Sequence, residues 1–426
     1  MATSRIALWA AFVAVNVWLA WLSLAGGSRM MGDIDRVYAI WMDQGVKEGF
    51  WVGIDVPWVY PMLALVPMLI SHLGGFGGDG VVWMVLVAVL NAGAFVVLTS
   101  GSWAARRGVA AAWWWIAFLF VLGPIAMARI DAITVPLALV GMLVLAKRPH
   151  LAGVLLAVAA WVKVWPAALV LAAVVAVRRR GSVLVGAVAT SVVVVAVALA
   201  LGSGWNVFGF VSQQAGRGLQ VESPAATPWL WQVAAHVPGA AVYYDQIILT
   251  YQVAGPGVAF AARATTVVMA IVMLGVLLLG VWAVRAGVPA PRLLGALSLA
   301  LVIGLIATNK VGSPQFVSWL AVPVVVGIVL ASRGGPSFRV PAVIALAIGL
   351  LTQLVYPLYY EGVLGGQPLM VAVITVRNGL EVALLVVSVV MLWRVGTAQP
   401  GAPRSWWTRD VRSADHDDAA DARLGA

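Results

Sequence analysis

Residues 182–201, SVLVGAVATSVVVVAVALAL, contain no charged side chain and follow the basic cluster Arg178-Arg179-Arg180 after a single glycine. An apolar run of about 20 residues is long enough to cross a lipid bilayer as a helix. Comparable runs recur from near residue 6 to near residue 393. The chain has 426 residues, of which 63% are hydrophobic and 10% charged, and its mean hydropathy is +1.00. This composition predicts an all-α, polytopic integral membrane protein.

We expect about twelve transmembrane helices, with both chain termini on the same side of the membrane. The predicted helices lie near residues 6–25, 57–73, 81–99, 111–127, 132–146, 151–177, 182–201, 258–284, 292–308, 315–331, 340–356 and 368–393. Residues 1–393 then form one membrane-embedded domain. Residues 394–426 mix Pro, Arg and Asp without apolar periodicity and are predicted to be a disordered cytoplasmic tail.

Basic residues orient these helices, because loops rich in Lys and Arg face the cytoplasm. The basic residues on the side of the termini are Arg178, Arg179, Arg180, Arg285, Arg292, Arg333, Arg339 and Arg394. The outer loops are then residues 26–56 and 202–257, with two shorter ones at 309–314 and 357–367. These loop residues also account for the net charge of +10, so nucleic acid is not expected as a partner.

Residues 57–177 leave two topologies open. Twelve crossing helices place Arg106-Arg107 and Lys147-Arg148 outside, and they place Arg129 and Asp131 in the cytoplasm. All three assignments reverse if residues 57–73 do not cross and residues 151–177 form a hairpin kinked at the KVWP string, residues 163–166. We keep the twelve crossing helices, and we expect Arg129 and Asp131 to form an ion pair that locks two helices.

Carboxylates are concentrated in the first outer loop, at Asp33, Asp35 and Asp55, among several aromatic residues. Such a segment can lie along the membrane interface with its carboxylates over a polar cavity. A carboxylate at the rim of an apolar cavity holds protons more strongly, which suits a general base. The alternative is a solvated loop whose acidic groups only accept hydrogen bonds.

Three cationic side chains stand out in the rest of the chain: Lys163, Arg217 and Lys310. Lys163 lies between Trp161 and Trp165 in an apolar run, where it needs an anionic partner unless it extends to the interface. Arg217 offers a planar fork suited to phosphate, and Glu222 can orient it or simply pair with it. Lys310 and Gln315 belong to a polar segment between two apolar helices. This segment is either a hinge that adds both residues to the outer face or an ordinary tight loop.

Several classes of chemistry have no support in the chain. The absence of cysteine excludes disulfides, thiolate zinc sites and cysteine nucleophiles. The sequence also lacks a Walker phosphate loop, an HExxH string and a GxSxG string with triad partners. We therefore predict neither an ATP-driven pump nor a serine hydrolase, expect no cofactor and assign no metal-binding residue; the sequence leaves a need for a divalent metal open.

Five polar strings occur in order along the chain: GDIDRVY (32–38), DVPWVYP (55–61), KVWP (163–166), GRGLQVES (216–223) and NKVGSPQF (309–316). Together they resemble the polyprenyl-phosphate-sugar-dependent glycosyltransferases of family 87, over about residues 30–320. The resemblance implies the multi-helix glycosyltransferase C architecture. It also implies α-mannosyl or arabinofuranosyl transfer in the synthesis of the actinobacterial cell envelope.

The resemblance further assigns roles to residues in the matched strings. An aspartate of the first outer loop is the catalytic base, which maps onto Asp33 or Asp35, with Asp33 favoured by its place after Gly32 and before Val37-Tyr38. The residues expected to bind the donor phosphate are Lys163, Arg217 and Lys310. Those expected to contact the substrates are Tyr38, Asp55, Tyr60, Gln220, Glu222 and Gln315. An assisting histidine has only His72 and His236 as candidates, and neither lies in a matched string.

The function expected from this resemblance is transfer of a sugar, mannose first, from a polyprenyl phosphate carrier to a glycolipid or glycan hydroxyl. The aspartate deprotonates the acceptor and the anomeric centre inverts. The enzyme is expected in the plasma membrane, with its active site on the extracytoplasmic side. The alternatives are an arabinofuranosyltransferase of the same family, a transporter or flippase of a lipid-linked sugar, and a noncatalytic membrane scaffold.

Overall fold

A computed structural model describes residues 2–75, 77–100, 106–246 and 248–397. The last helix, Pro368–Thr397, extends past the predicted start of the cytoplasmic tail at residue 394. The rest of that predicted tail, residues 398–426, lies outside the described residues. Within the described ranges the protein is almost entirely helical, which confirms the all-α membrane fold.

Nine helices in the described ranges are long and apolar enough to cross a membrane. They are Arg5–Ala25, Asp79–Thr99, Arg107–Ala126, Arg180–Ala200, Val258–Arg285, Ala290–Ala307, Pro314–Arg333, Arg339–Leu358 and Pro368–Thr397. The helix Ala290–Ala307 lies at the centre of the bundle, where nearly all of its side chains are buried. Val258–Arg285, in contrast, exposes most of its aliphatic side chains, as a helix that faces lipid does.

Four further apolar helices are shorter: Met62–His72, Asp131–Val144, Pro149–Val162 and Ala167–Ala176. The single helix predicted over residues 151–177 is wrong, because Lys163 has extended backbone angles, φ −153° and ψ 134°. Pro166 follows, and proline both removes a helical hydrogen bond and clashes with the preceding turn. The α-helix Leu65–His72 has 8 residues, about 12 Å, which is too short to cross a bilayer by itself.

Ion pairs correct the topology expected for residues 57–177. Arg129 Nε lies 3.2 Å from Asp33 Oδ2, and Lys163 Nζ lies 2.9 Å from Asp131 Oδ2. The expected Arg129–Asp131 pair is therefore wrong, and so is the placement of Arg129 on the face opposite Asp33. We call the end of the bundle that holds these four residues the polar end.

Helix packing gathers the basic clusters at the other end. Gly153 packs without room for a side chain against the backbone of Val183, so the helices Pro149–Val162 and Arg180–Ala200 start at the same end. Trp114 Nε1 donates a hydrogen bond to the carbonyl of Ala342, 3.0 Å away, which places Arg107 at the same end as Arg339. This arrangement matches the alternative topology, in which residues 57–73 do not cross and residues 151–177 are a broken hairpin.

Two polar segments cover the polar end. The first, residues 26–56, is helical over residues 28–48, in the turns Ser28–Gly32, Asp33–Tyr38, Ala39–Asp43 and Gln44–Glu48. The second, residues 201–257, carries the short helices Gly209–Ala215 and Thr227–Ala234 and an antiparallel hairpin of strands β1 (Ala241–Asp245) and β2 (Thr250–Ala254). The hairpin is absent from the sequence-based prediction.

Side-chain hydrogen bonds join the two polar segments. Ser203 Oγ donates to the carbonyl of Gly53 at 2.7 Å, and Asn206 Nδ2 donates to the carbonyl of Ile54 at 2.7 Å. Hydrogen bonds to otherwise unpaired backbone carbonyls fix irregular segments firmly, because a buried carbonyl without a donor is costly. The two segments therefore form one lid of fixed geometry over the helix ends.

Candidate active site

The Asp33 carboxylate is held at the polar end by the Arg129 guanidinium, which makes four polar contacts. Its Nε lies 3.2 Å from Asp33 Oδ2, its Nη2 donates to Tyr356 Oη at 2.7 Å, and its Nη1 donates to the carbonyls of Met30 and Ala128, both at 2.6 Å. The Arg129 side chain is buried, whereas 35% of the Asp33 side chain is exposed. Arg129 thus orients a carboxylate that remains open to a ligand.

Two irregular backbone segments bring this pair together. Asp33 begins the turn Asp33–Tyr38, directly after the first membrane helix and its short extension. Arg129 lies in the connection between the turn Gly123–Ala126 and the helix Asp131–Val144, far along the chain. Because backbone at the ends of membrane helices has unpaired polar groups, these connections are natural places for a buried guanidinium to donate hydrogen bonds.

Asp35 lies on a different face from Asp33. Its Oδ1 is directed at Gly80, where an added Cβ would come within 3.2 Å of it. Burial and the neighbouring carboxylate of Asp79 raise the pKa of Asp35. Next to it, the imidazole of His72 lies 3.2 Å from Asp79 and 3.3 Å from Asp43, and so ties the first polar segment to the start of the helix Asp79–Thr99. Asp35 and His72 therefore belong to this junction, apart from the Arg129 contact.

Lys163 already has an anionic partner, as a buried cation in an apolar run requires. Its ammonium lies 2.9 Å from Asp131 Oδ2, and Asp131 Oδ1 accepts a hydrogen bond of 2.6 Å from Trp319 Nε1. The indole of Trp319 stacks on Trp165 at 5.3 Å between ring centres, and Trp165 Nε1 donates to Thr134 Oγ1 at 2.9 Å. The break in the helix at residues 163–166 thus places Lys163 in an ion pair beside two stacked indoles.

Aromatic rings connect Lys163 to the first polar segment. Its ammonium lies 5.5 Å from the centre of the Tyr60 ring and 5.0 Å from that of Phe316, which are cation–π distances. Tyr60 in turn meets Tyr38 edge to face, with ring centres 6.3 Å apart. Burial raises the pKa of both tyrosines, and the charge of Asp33 raises each further. The two predicted tyrosines therefore lie in the same site as Asp33.

Arg217 and Lys310 form a second cationic group, beside Gln220. Burial lowers the pKa of Arg217, and burial together with the charge of Arg217 lowers the pKa of Lys310. Gln220 N donates to the carbonyl of Lys310 at 3.0 Å. Among the described residues, the buried atoms Arg217 Nε and Gln220 Nε2 have no hydrogen-bond partner. A cluster of positive charge that includes these two N–H donors is suited to bind an oxyanion such as phosphate.

Glu222 pairs with a residue that the sequence did not suggest. Its Oε2 lies 3.3 Å from Arg377 Nη1, and its backbone carbonyl accepts 2.6 Å from Arg377 Nη2. Arg377 Nε lies 3.0 Å from Asn378 Oδ1 and 3.8 Å from Glu381 Oε1, and all of these side chains are buried. Glu222 therefore anchors the second polar segment to the last helix and is not directed at a ligand.

The stability of the protein is expected to fall as pH rises from about 4.5 to about 7. Burial raises the pKa of Glu222 to about 7, Arg377 opposes this rise, and the ordinary value is 4.5. Across that interval the folded protein keeps a proton that the unfolded chain has released, so unfolding becomes easier with increasing pH. Thermal unfolding of the purified protein at a series of pH values measures the effect. Glu222→Gln should remove this part of the pH dependence, and an unchanged slope in that variant would contradict the assignment.

Gly312→Ala is expected to destabilise the protein by about 1–3 kcal/mol, as overpacking typically does. A Cβ at Gly312 would collide with the backbone of Glu222 and Ser223, which cannot rotate away as a side chain can. Gly216→Ala is the matched control, because no atom lies within 4 Å of the Cβ it would add. Unfolding temperatures of the two variants in the same detergent test the close approach, and equal values would argue against it.

The remaining predicted residues lie apart from the ligand-facing groups. Asp55 is exposed, and its Oδ2 accepts a hydrogen bond of 2.6 Å from the backbone N–H of Trp51, so it closes a turn. Gln315 is half-buried, and its carbonyl accepts from Ser318 Oγ at 2.7 Å. His236 is exposed in a left-handed turn, with φ 54°. In the described parts of the chain, no group of three or more His, Asp or Glu side chains is placed to hold a metal ion.

Arg129 and Asp131 contact predicted site residues, Tyr356 contacts Arg129, and Arg377 anchors the second polar segment, although the sequence predicted a ligand-binding role for none of the four. The sequence did contain one indication. An ionisable residue inside an apolar run is energetically costly, so its presence there marks a functional position in a membrane protein. This indication applies to Arg377 and Glu381, which stand four residues apart within the predicted helix 368–393.

Comparison with known proteins gives one match. The sequence model of a family described as glycosyltransferase family 87 matches residues 58–314. The match takes in four of the five polar strings wholly or in part, and it begins after the loop that holds Asp33 and Asp35. No curated protein and no solved structure matches the chain.

Proposed function

The chain belongs to glycosyltransferase family 87, so it is a membrane glycosyltransferase, and we propose that it transfers mannose from a polyprenyl phosphate carrier to a glycan or glycolipid hydroxyl. The observation that carries this proposal is the pairing of a partly exposed carboxylate, Asp33, with a separate cationic group, Arg217 and Lys310, at one end of the bundle. Glycosyl transfer from a phosphate requires both a base and an anion site, and the polar end of the bundle supplies both.

In the proposed reaction Asp33 accepts the proton of the acceptor hydroxyl as its oxygen bonds to the anomeric carbon of the donor. The bond from that carbon to the phosphate oxygen breaks, and the polyprenyl phosphate leaves with the bonding electron pair. The configuration at the anomeric carbon inverts. Arg129 positions the Asp33 carboxylate through its contact at 3.2 Å.

Arg217 and Lys310 are proposed to stabilise the charge that develops on the leaving phosphate. The donors Arg217 Nε and Gln220 Nε2 would supply hydrogen bonds to its oxygens. Lys163 contributes less charge, because Asp131 neutralises it at 2.9 Å. We propose that Lys163, Tyr60 and Tyr38 form the wall of the donor site and do not contact the phosphate themselves.

The polar end is proposed to face the outside of the plasma membrane. The basic clusters gather at the other end, and the positive-inside rule assigns that end to the cytoplasm. A lipid-linked donor is consistent with this orientation, because its prenyl chain can remain in the bilayer beside the helices while its phosphate reaches the cations.

The test is transfer of labelled sugar by the purified protein in lipid nanodiscs. Synthetic polyprenyl phosphate mannose and polyprenyl phosphate arabinofuranose are each supplied with octyl α-D-mannopyranoside as acceptor. Transfer of mannose supports the proposal. If the protein transfers only arabinofuranose, the donor is polyprenyl phosphate arabinofuranose and not polyprenyl phosphate mannose. A protein that transfers neither sugar to this acceptor or to a membrane extract, but moves the labelled lipid between leaflets of a vesicle, would be a flippase.

A further inference from the structure

A chain of tyrosine rings runs from the hairpin to the catalytic carboxylate. The ring of Tyr244, on β1, lies 4.9 Å from that of Tyr251, its cross-strand partner on β2. Tyr251 lies 5.9 Å from Tyr360, and Tyr360 lies 5.2 Å from Tyr356. Tyr356 Oη accepts the hydrogen bond from Arg129 that was described above. Successive contacts thereby link Tyr244 to Arg129, the residue that holds Asp33.

The hairpin is fixed to the segment that carries Arg217, one of the two proposed phosphate-binding cations. Val253 N donates to the carbonyl of Leu219 at 3.0 Å, and Val221 N donates to the carbonyl of Tyr251 at 3.2 Å. Gln252 Nε2 also donates to Asp245 Oδ2 at 2.8 Å, across the two strands. These bonds make residues 219–221 a partner of β2, so Tyr244 has a set position relative to Arg217.

Tyr244 is the exposed end of the tyrosine chain. Its side chain is 46% exposed, whereas Tyr251, Tyr356 and Tyr360 are half-buried. Burial, Tyr251 and the charge of Asp33 raise the pKa of Tyr244, in that order. The open aromatic face at this end of the tyrosine chain is available to a ligand.

We propose that Tyr244 is a stacking platform for a sugar ring of the acceptor, which holds the reacting hydroxyl over Asp33. This inference rests on the proposed glycosyl transfer. The flat ring matches the apolar face of a pyranose, and aromatic side chains bury such surfaces at little conformational cost. The acceptor is the better occupant than the donor, because the hairpin belongs to the polar segment beyond the helices, away from where a prenyl chain must lie.

Tyr243 provides a matched control on the same strand. Successive side chains of a strand point to opposite faces, so Tyr243 is directed away from the Tyr244 face. Its exposed fraction, 45%, is nearly the same. If the two tyrosines only anchored the hairpin at the membrane interface, their replacement would have similar effects.

The experiment compares Tyr244→Ala, Tyr244→Trp and Tyr243→Ala in nanodiscs, with octyl α-D-mannopyranoside as the probe. Acceptor KM and donor KM are measured in the transfer assay, and saturation-transfer NMR measures binding of the probe without donor. Tyr244→Ala should raise acceptor KM and weaken probe binding about fivefold, with donor KM unchanged, as expected for loss of one aromatic contact. Tyr244→Trp should restore both values, and Tyr243→Ala should match the wild type. Unfolding temperatures check that each variant is folded.

The binding readout separates failure of this inference from failure of the proposed function. Normal transfer by Tyr244→Ala with unchanged acceptor KM would overturn the inference and leave the glycosyltransferase proposal intact. Probe binding that depends on Tyr244, in a protein that transfers no sugar, would support the sugar platform and reject the proposed reaction. Absence of probe binding to the wild type, or equal losses in the Tyr243 and Tyr244 variants, would also overturn it.

Discussion

Asp33→Asn is expected to reduce sugar transfer by about 10²- to 10⁴-fold, the usual contribution of a positioned general base. The amide has nearly the same shape as the carboxylate, so the contact with Arg129 and the local packing should persist. What the variant lacks is a group that accepts the proton of the acceptor hydroxyl. The measurement is initial rate of transfer from polyprenyl phosphate mannose, with kcat and both KM values determined. The loss should appear in kcat.

Asp35→Asn is the control for this prediction, because Asp35 faces Gly80 and Asp79 instead of Arg129. Its transfer rate should stay within a few fold of the wild type. If the Asp35 variant lost activity and the Asp33 variant kept it, the base would be Asp35. Full activity in the double variant would exclude both carboxylates from catalysis.

Arg377→Met is expected to lower the free energy of unfolding by about 3–5 kcal/mol, the typical cost of removing one member of a buried ion pair. Arg377 is 1% exposed and is the cation that faces Glu222 at 3.3 Å and Glu381 at 3.8 Å. Methionine fills much of the same volume but leaves two carboxylates in an apolar environment. Denaturant unfolding of the detergent-solubilised protein measures the loss.

Two further variants make the Arg377 result specific. Arg178→Met removes an exposed arginine at the basic end, and its unfolding free energy should stay close to that of the wild type. Adding Glu222→Gln and Glu381→Gln to Arg377→Met should recover part of the lost stability, since no buried charge then lacks a partner. Equal stability of Arg377→Met and Arg178→Met would show that the buried network contributes little.

Long apolar helices were predictable from the sequence, because about 20 consecutive apolar residues have few other uses. The short helices were not, since runs of 10–14 residues fit either a buried helix or half of a longer one. Pro166 signals the break at residues 163–166, but the pairing of Lys163 with Asp131, at 2.9 Å, joins residues that local sequence does not connect. The basic clusters did indicate the correct topology of residues 57–177, because only the broken hairpin places all of these clusters at one end of the bundle.

The site was predictable in part for a similar reason. Asp33, Tyr60, Arg217 and Lys310 stand out as polar residues in a chain with little charge, and the fold brings them together. Their partners Arg129 and Tyr356 come from distant turns, so no spacing rule connects them to Asp33. The hairpin carrying Tyr244 was missed because its strands have five residues each and lie in a polar segment without strict alternation.

The short helices have a consequence for the depth of the proposed donor site. Asp131–Val144 has 14 residues and rises about 21 Å, whereas the hydrocarbon layer is about 30 Å thick. In the proposed orientation, an upright helix whose Val144 end lies at the cytoplasmic boundary places Asp131 about 9 Å beneath the outer boundary of that layer. Under the proposed function, the donor would have to descend from the headgroup plane to reach the Lys163–Asp131 pair in the wall of its site. We therefore expect turnover to depend on the acyl-chain length of the surrounding membrane, because thicker bilayers deepen the recess.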